Sequence, residues 1–155
     1  LYAFDYGDTA KMAPIVKMHT LGHSFIPPAI HAGGLRYHGM APHICSLYDN
    51  KLIDAIATPQ TGTFEAAIQF MQTEGILPAP ESAHAIKAAV DEAVRCREEG
   101  VSRVIAFNLS GHGHFDLSSY QAYLEGDLED YKYPEEKINA AISDLPEVSP
   151  EYQAM

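Results

Sequence analysis

The chain has 155 residues, enough for one domain with a hydrophobic core and too few for two domains of ordinary size. Its hydrophobic fraction of 46% and charged fraction of 20% are typical of a soluble globular protein. The formal net charge of −11 argues against nucleic acid or an anionic membrane as partner, because both are bound through Lys and Arg. No segment reaches the roughly 18 apolar residues that a membrane-spanning helix requires.

The N-terminus and the cysteines indicate the cellular compartment of the protein and whether the sequence is part of a longer one. No N-terminal signal peptide is recognisable, and Cys45 and Cys96 lack the spacing of metal ligands. We therefore interpret both as reduced thiols of a cytoplasmic protein. The sequence opens at Leu1 within a patterned stretch and without an initiator methionine, so we expect it to be a portion of a longer protein.

The first third of the chain is rich in glycine, proline and aromatic residues. A short helix is predicted near 14–21, and the glycine-rich stretch 30–42 predicts a loop that lines a cleft. A helix is expected from Pro42 to about Asp49, since proline is favoured in the first turn. Residues 53–57 alternate at period two, which predicts a strand.

Helical patterns dominate the middle of the chain. Thr63 is a suitable N-cap for a helix that ends at 73–75. From Glu81 onward, apolar residues recur on a single stripe, and Gly100 closes this helix. The acidic side chain of Glu81 lies at the positive end of the helix dipole.

The apolar run 104–107 predicts a strand buried on both faces. Helices near 117–124 and 135–143 follow. The alternation of strands and helices predicts an α/β fold with a parallel sheet, and only two strands are evident, so the sheet should be incomplete in this chain. We expect residues 1–125 to belong to one catalytic fold and 126–155 to form an acidic C-terminal tail.

A polar turn with two glycines follows the predicted strand at 108–113. Ligands bind at such turns in open α/β sheets, which makes Ser110 the best single site candidate. Ser110 does not fit a nucleophile elbow, because Asn108 and His112 occupy positions where that motif has glycine. A hydrogen bond to a ligand and a structural cap of the turn both remain open.

His112 and His114 form a His-x-His pair that could hold zinc if a third ligand joined them. The candidates for that third ligand are His31, His38, His43 and Glu74. No spacing singles out one of them, so two loop histidines without a metal are the preferred interpretation.

For several other polar residues, the sequence is compatible with a functional role or with a purely structural one. Glu74 ends a helix where the dipole opposes its charge, a local conflict that sequences keep at functional sites. Glu81 and His84 share a helix face, and helix initiation and packing explain them adequately. Arg36 and Tyr37 lie in the glycine-rich loop and could reach a ligand.

Segments 73–85 and 108–116 resemble the C-terminal part of the β chain of tryptophan synthase. The segments 7–10, 17–23 and 31–42 are similar to the divergent second type of that β chain. The likeness covers about residues 1–130, with its motifs in the family's order.

The resemblance implies a fold-type II pyridoxal-phosphate (PLP) enzyme that makes L-tryptophan from L-serine and indole. By match to the family's motif, Ser110, beside Gly111, would bind the pyridine nitrogen of PLP. A neutral hydroxyl does not force that nitrogen to stay protonated, which favours β-replacement over transamination. Glu74 would be the catalytic carboxylate that assists proton movements.

The same resemblance implies the walls of the cleft. Gly33 and Gly34 would lie against the cofactor, and Arg36, Tyr37 and His112 would line the substrate cleft. Backbone carbonyls of the same loop would form a monovalent-cation site. Arg36 replaces an acidic residue of the common type, and Ser-Gly-His-Gly-His replaces Ser-Gly-Arg-Gly-Asp, so closing contacts and pairing with an α chain should differ.

The family's Schiff-base lysine and phosphate-binding glycine loop lie upstream of these motifs, and no lysine of this chain lies in the matching motif. We therefore expect the chain alone to be inactive, with the N-terminal portion of the enzyme and a second β chain as its partners. The alternatives are another fold-type II lyase acting on serine or threonine derivatives, and a non-catalytic interaction module.

Overall fold

The computed structural model describes residues 1–153 and has an α/β architecture. The chain divides into two compact units. Unit 1 comprises Leu1–Pro28, Arg36–Ile56 and the residues from Lys132 onward, and unit 2 comprises Ala29–Leu35 and Ala57–Tyr131. Within the described residues, no helix is both long and apolar enough to cross a membrane.

Two strands and six α-helices, the last a single turn, are formed by the described residues. In chain order they are β1 (Tyr2–Tyr6), β2 (Ile15–His19), α1 (Pro42–Asp49), α2 (Gln60–Glu74), α3 (Pro80–Glu99), α4 (Leu117–Glu125), α5 (Glu135–Ile142) and α6 (Pro150–Gln153). A 3-10 turn covers Gly33–Leu35. The predicted helices at 42–49, 117–124 and 135–143 are confirmed to within one residue at each end.

Unit 1 is built on an antiparallel hairpin in which β1 pairs with β2, from Tyr2 opposite His19 to Tyr6 opposite Ile15. The helix predicted near 14–21 is therefore wrong. Ile15 and Val16 are β-branched and stiff at χ1, which suits a paired strand better than a helix. The sheet is also antiparallel, whereas the sequence pattern predicted parallel pairing.

A buried polar network ties the hairpin to the segment that follows it. The Asp5 carboxylate, 0% exposed, accepts hydrogen bonds from the Thr20 hydroxyl and from Nδ1 of His23, each at 2.6 Å. It also accepts the backbone N–H of Tyr6 at 2.8 Å. Nε2 of His23 is buried and has no hydrogen-bond partner among the described residues. Since an ionised carboxylate can only accept, Nδ1 is the donor in the pair with Asp5.

Opposing effects act on the acidity of this carboxyl. Burial acts to raise the pKa of Asp5, but the hydrogen bonds from Thr20, His23 and Tyr6 together outweigh it. The pKa of Asp5 is therefore lower than that of a free aspartate, and the network holds an ionised group inside unit 1.

Unit 2 packs α2 and α3 together around a core of Phe64, Ala67, Ala83, Tyr120 and Leu128. The helix predicted from 81 to 100 is confirmed: α3 ends at Glu99, and Gly100 adopts φ +66°. This left-handed backbone is the reason for glycine there.

The expected N-cap of α2 is wrong. The helix begins three residues before Thr63, with Pro59 as the capping residue. Thr63 lies inside the first turn, where its hydroxyl donates to the carbonyl of Gln60 at 2.7 Å. A buried threonine that bonds back to its own helix has the same sequence signature as a cap.

Two predicted strands are absent, because neither segment finds a pairing partner among residues 1–153. Residues 53–57 and 104–107 have no regular structure. Val104 is 99% exposed, the reverse of the double-sided burial that its apolar neighbours predicted. An apolar run gives the preference for a strand, but the hydrogen bonds must come from another segment.

Candidate functional site

The turn that carries Ser110 is fastened to the start of α3 by backbone pairing. Ala79 donates its N–H to the carbonyl of Gly111 at 2.9 Å, and Gly113 donates to the carbonyl of Leu77 at 2.8 Å. Between these bonds Pro78 and His112 form an antiparallel bridge. The turn is thus held in a fixed register beside the segment that leads into α3.

Gly113 makes this close approach possible. A Cβ on Gly113 would lie 2.4 Å from the carbonyl oxygen of Pro78 and 2.9 Å from the ring of Tyr120. Tyr120 in turn donates its phenolic proton to the same Pro78 oxygen at 2.5 Å. Burial, followed by the charge of Asp116, raises the pKa of Tyr120, so this phenol stays protonated and remains a donor.

Ser82, in the first turn of α3, contacts both residues at the centre of the turn. Its hydroxyl oxygen lies 2.9 Å from the hydroxyl oxygen of Ser110 and accepts the N–H of Gly111 at 3.0 Å. The Ser82 side chain is buried and Ser110 is exposed. The hydrogen-bond partner of the Ser110 side chain among the described residues is thus a neutral hydroxyl.

The neighbouring residue of α3 holds the second predicted loop. The N–H of Gly34 donates to Oε1 of Glu81 at 2.7 Å, and a Cβ on Gly34 would approach that carboxylate to 3.1 Å. Consecutive residues of one helix therefore bind the glycine loop and the serine turn. We call Gly34, Glu81, Ser82, Ser110 and Gly111 the α3 cluster.

The α3 cluster brings together Gly34, Ser110 and Gly111 from the predicted site. Gly33 is the neighbour of Gly34 in the same 3-10 turn and is exposed. His112 follows directly in the serine turn, where its ring lies 4.7 Å from that of His114, centroid to centroid.

Glu74 is not bonded to this cluster. It is the last residue of α2 and is exposed, and the described structure gives its carboxylate no hydrogen bond. The helix ends one residue later at Gly75, where φ is +71°. Its catalytic role stays a prediction.

Arg36 and Tyr37 belong to unit 1, and both are exposed. The Tyr37 hydroxyl lies 3.9 Å from the sulfur of Met40. Their assignment to a substrate cleft likewise stays a prediction.

The metal alternative gains no third ligand within residues 1–153, where no group of three or more His, Cys, Asp and Glu side chains is arranged to hold an ion. His112 instead accepts the N–H of His114 on Nδ1 at 3.3 Å, a contact within the turn. Of the other histidines considered, His31 bonds Ser119 at 3.0 Å.

Sequence reasoning missed Glu81 and Ser82. Glu81 follows Pro80 at the start of a strong amphipathic pattern, where an acidic residue is explained by the helix dipole alone. Ser82 is a small polar residue in a first turn, and nothing in its spacing marks it as a partner of Ser110. The signal that could have found them is their position in segment 73–85, the segment with family resemblance that also contains Glu74.

Comparison with known proteins identifies relatives along most of the chain. A tryptophan synthase beta chain 2 of Aquifex aeolicus is 62% identical over 129 residues, which is 83% of this chain and 30% of the relative. One from Aeropyrum pernix is 58% identical over 136 residues, 88% of this chain and 30% of the relative. One from Pyrococcus furiosus is 51% identical over 146 residues, 94% of this chain and 33% of the relative.

No protein-family model matches the chain. The relatives nevertheless agree with one another in name and in the length of sequence they share with it. The chain spans about 30% of their length. By sequence it belongs to the family of tryptophan synthase β chains and corresponds to a portion of such a chain.

Proposed function

We propose that the chain is the C-terminal portion of a PLP-dependent enzyme that makes L-tryptophan from L-serine and indole. The name and identity of the relatives support this reaction, since 62% identity extends over 129 residues that include the α3 cluster region. The upstream portion of the enzyme supplies the Schiff-base lysine and the phosphate-binding loop.

The observation that carries the proposal is the neutral hydrogen-bond partner of Ser110. Its hydroxyl is exposed and is bonded only to another hydroxyl, that of Ser82, among the described residues. When bound, PLP would supply an electron sink for the α-carbon of serine, which allows the hydroxyl on the neighbouring β-carbon to leave and be replaced. A neutral hydroxyl partner suits an unprotonated pyridine nitrogen, so the side chains present fit this cofactor.

In this proposal, the residues of the chain bind and orient the cofactor and the substrate. Ser110 accepts or donates one hydrogen bond at the pyridine nitrogen, while the absence of a side chain at Gly34 and Gly111 lets their backbone lie close to Glu81 and Ala79. On the resemblance, Gly33 and Gly34 are assigned to the cofactor, and Arg36, Tyr37 and His112 are assigned to substrate binding. A monovalent cation on backbone carbonyls and a homodimer of β chains complete the proposal.

Two carboxylates are candidates for moving protons near the reacting carbon. Glu74 follows from the resemblance, while Glu81 is favoured by its bond to Gly34 and by its position next to Ser82. In the full-length enzyme, Glu74→Gln and Glu81→Gln form a matched pair, because both remove one charge and keep the shape. The substitution that lowers kcat by ~10²-fold or more identifies the proton-transfer group.

The function itself is tested with the full-length protein, serine and indole. We expect tryptophan formation and a cofactor absorbance band that shifts when serine is added. Ser110→Asp should change the ratio of tryptophan to deaminated product more than it changes PLP affinity. A protein that binds PLP but processes other serine or threonine derivatives without using indole would make it a different lyase. A protein that binds no PLP would refute the cofactor assignment.

A further inference from the structure

The Ser82 hydroxyl has more neighbours than it has protons to give. It lies 2.9 Å from the Ser110 hydroxyl oxygen, 3.0 Å from the Gly111 nitrogen and 3.4 Å from the Gly111 carbonyl oxygen. Ser82 is only 2% exposed, so water does not compete for these contacts. The direction of each hydrogen bond can therefore be worked out from the donors available.

The Gly111 N–H can only donate, so it fixes one lone pair of Ser82 as an acceptor. The single proton of Ser82 then goes to Ser110 or to the Gly111 carbonyl. The carbonyl is at the outer limit of hydrogen-bond distance and already accepts the N–H of Ala79 at 2.9 Å. The shorter contact, to Ser110, is the one that takes the proton.

We infer that Ser82 is a positioning residue that makes Ser110 a hydrogen-bond donor toward the pyridine nitrogen of PLP. Because Ser110 accepts the proton of Ser82, its own proton is left for a ligand. Since a donor hydroxyl requires a lone pair on its partner, this direction favours the unprotonated nitrogen. The inference rests on the proposed function and adds a cause for it: the backbone N–H of Gly111 orients Ser82, and Ser82 orients Ser110.

The opposite direction would have a different consequence. If Ser110 donated to Ser82, the proton of Ser82 would turn to the distant Gly111 carbonyl. Ser110 would then offer a lone pair to the ligand and would stabilise a protonated nitrogen. The protonation state of the bound cofactor therefore distinguishes the two directions.

The test uses the full-length protein with PLP labelled with ¹⁵N at the pyridine position, and follows its NMR shift against pH. In the wild type we expect an unprotonated nitrogen near neutral pH. In Ser82→Ala, Ser110 regains the freedom to accept, so the midpoint of nitrogen protonation should rise by about one pH unit. Ser82→Thr keeps the hydroxyl and should restore the wild-type midpoint.

Ser119→Ala is the matched control, because it deletes another side-chain hydroxyl of unit 2, the one bonded to His31. It should leave the midpoint unchanged. A Ser82→Ala protein that holds PLP with an unchanged midpoint would reduce Ser82 to a structural role. A nitrogen already protonated in the wild type at neutral pH would overturn the assigned direction.

A second measurement separates this inference from the proposed function. In PLP-free protein, the Gly111 amide should exchange with solvent faster in Ser82→Ala than in the wild type, and Ser110 should populate more than one χ1 rotamer. If the wild type binds no PLP, the proposed function fails while these two readouts still decide whether Ser82 orients Ser110. Unchanged amide exchange and a single Ser110 rotamer would refute that orientation.

Discussion

The polar network around Asp5 and the α3 cluster around Ser110 use hydrogen bonds for different purposes, the first to stabilise a buried charge and the second to position a group that can bind a ligand. The Asp5 carboxylate is ionised and wholly buried, and three groups of unit 1 donate to it. Ser110 is neutral and exposed, with one hydroxyl partner in unit 2. A buried charge requires every partner it can obtain, whereas a binding group must keep a hydrogen bond in reserve. The structural network is therefore recognised by a polar group whose hydrogen bonds are all made within the protein, and the candidate site by one that still has a hydrogen bond to offer.

The largest expected effect comes from deleting the buried carboxylate. Asp5→Ala in the full-length protein should lower the free energy of unfolding of unit 1 by about 3–5 kcal/mol, because Thr20 and His23 lose a buried charged partner. Denaturant unfolding followed by amide exchange at Tyr6 and Gly22 measures this. Asp91→Asn, at an exposed ion pair with Lys87, is the control and should change stability by no more than about 0.5 kcal/mol. Equal effects of the two would contradict the structural role of Asp5.

A smaller loss should follow when the serine turn is pushed away from α3. Gly113→Ala places a methyl group against the Pro78 carbonyl, a backbone atom that cannot swing aside, and should cost up to about 3 kcal/mol. The loss should appear as faster amide exchange at Ala79 and Gly113. Gly62→Ala is the matched control: its new methyl meets only the flexible end of Lys87, and alanine favours the helix by about 1 kcal/mol.

Tyr120→Phe should be milder still, since it keeps the aromatic packing against Phe64 and removes only the hydroxyl. Leaving the buried Pro78 carbonyl without this donor should cost about 1–2 kcal/mol in stability of unit 2. Thermal unfolding of the full-length protein reports the loss. Tyr123→Phe, at a second tyrosine of α4 that also stacks on Phe64, provides the comparison. No difference between the two variants would mean that the Tyr120 hydroxyl contributes nothing net.

The smallest effect concerns pH. The folded-state pKa of Asp5 is lowered, so its contribution to stability is fully present above the unfolded value of about 3.9 and is lost as pH falls through the folded value. The stability difference between wild type and Asp5→Asn should stay constant from pH 7 to pH 5 and shrink only at lower pH. A difference that shrinks already between pH 7 and pH 5 would contradict an ionised, hydrogen-bonded Asp5.

Proline and glycine residues at the helix ends made the boundaries of α1 and α3 predictable from the sequence. Pro42 opens α1 where proline is favoured, and Gly100 closes α3 in a conformation that glycine adopts without strain. Strands were predicted poorly, because the pattern at 104–107 states a preference that only a partner strand can satisfy. Val16 shows the converse, since its strand was recognisable only once β1 was known to pair with it.

The candidate site was predictable in part for a related reason. Ser110 and the glycine loop stand out because glycines and polar residues interrupt an apolar pattern. Glu81 and Ser82 do not stand out, since their role depends on which loops reach the first turn of α3. A contact between segments distant in sequence produces no periodic pattern in the sequence. Only the folded structure therefore reveals that Glu81 contacts Gly34 and that Ser82 contacts Ser110.

The two ends of α3 should therefore tolerate changes in length very differently. One residue inserted before Glu81 would rotate the first turn by about 100° and carry both loop attachments off their partners together. At the far end, a Cβ on Gly100 would meet nothing within 4 Å, and the chain beyond it has no regular structure as far as the serine turn. Within the described residues, an insertion directly after Gly100 should therefore disturb the α3 cluster less than one before Glu81.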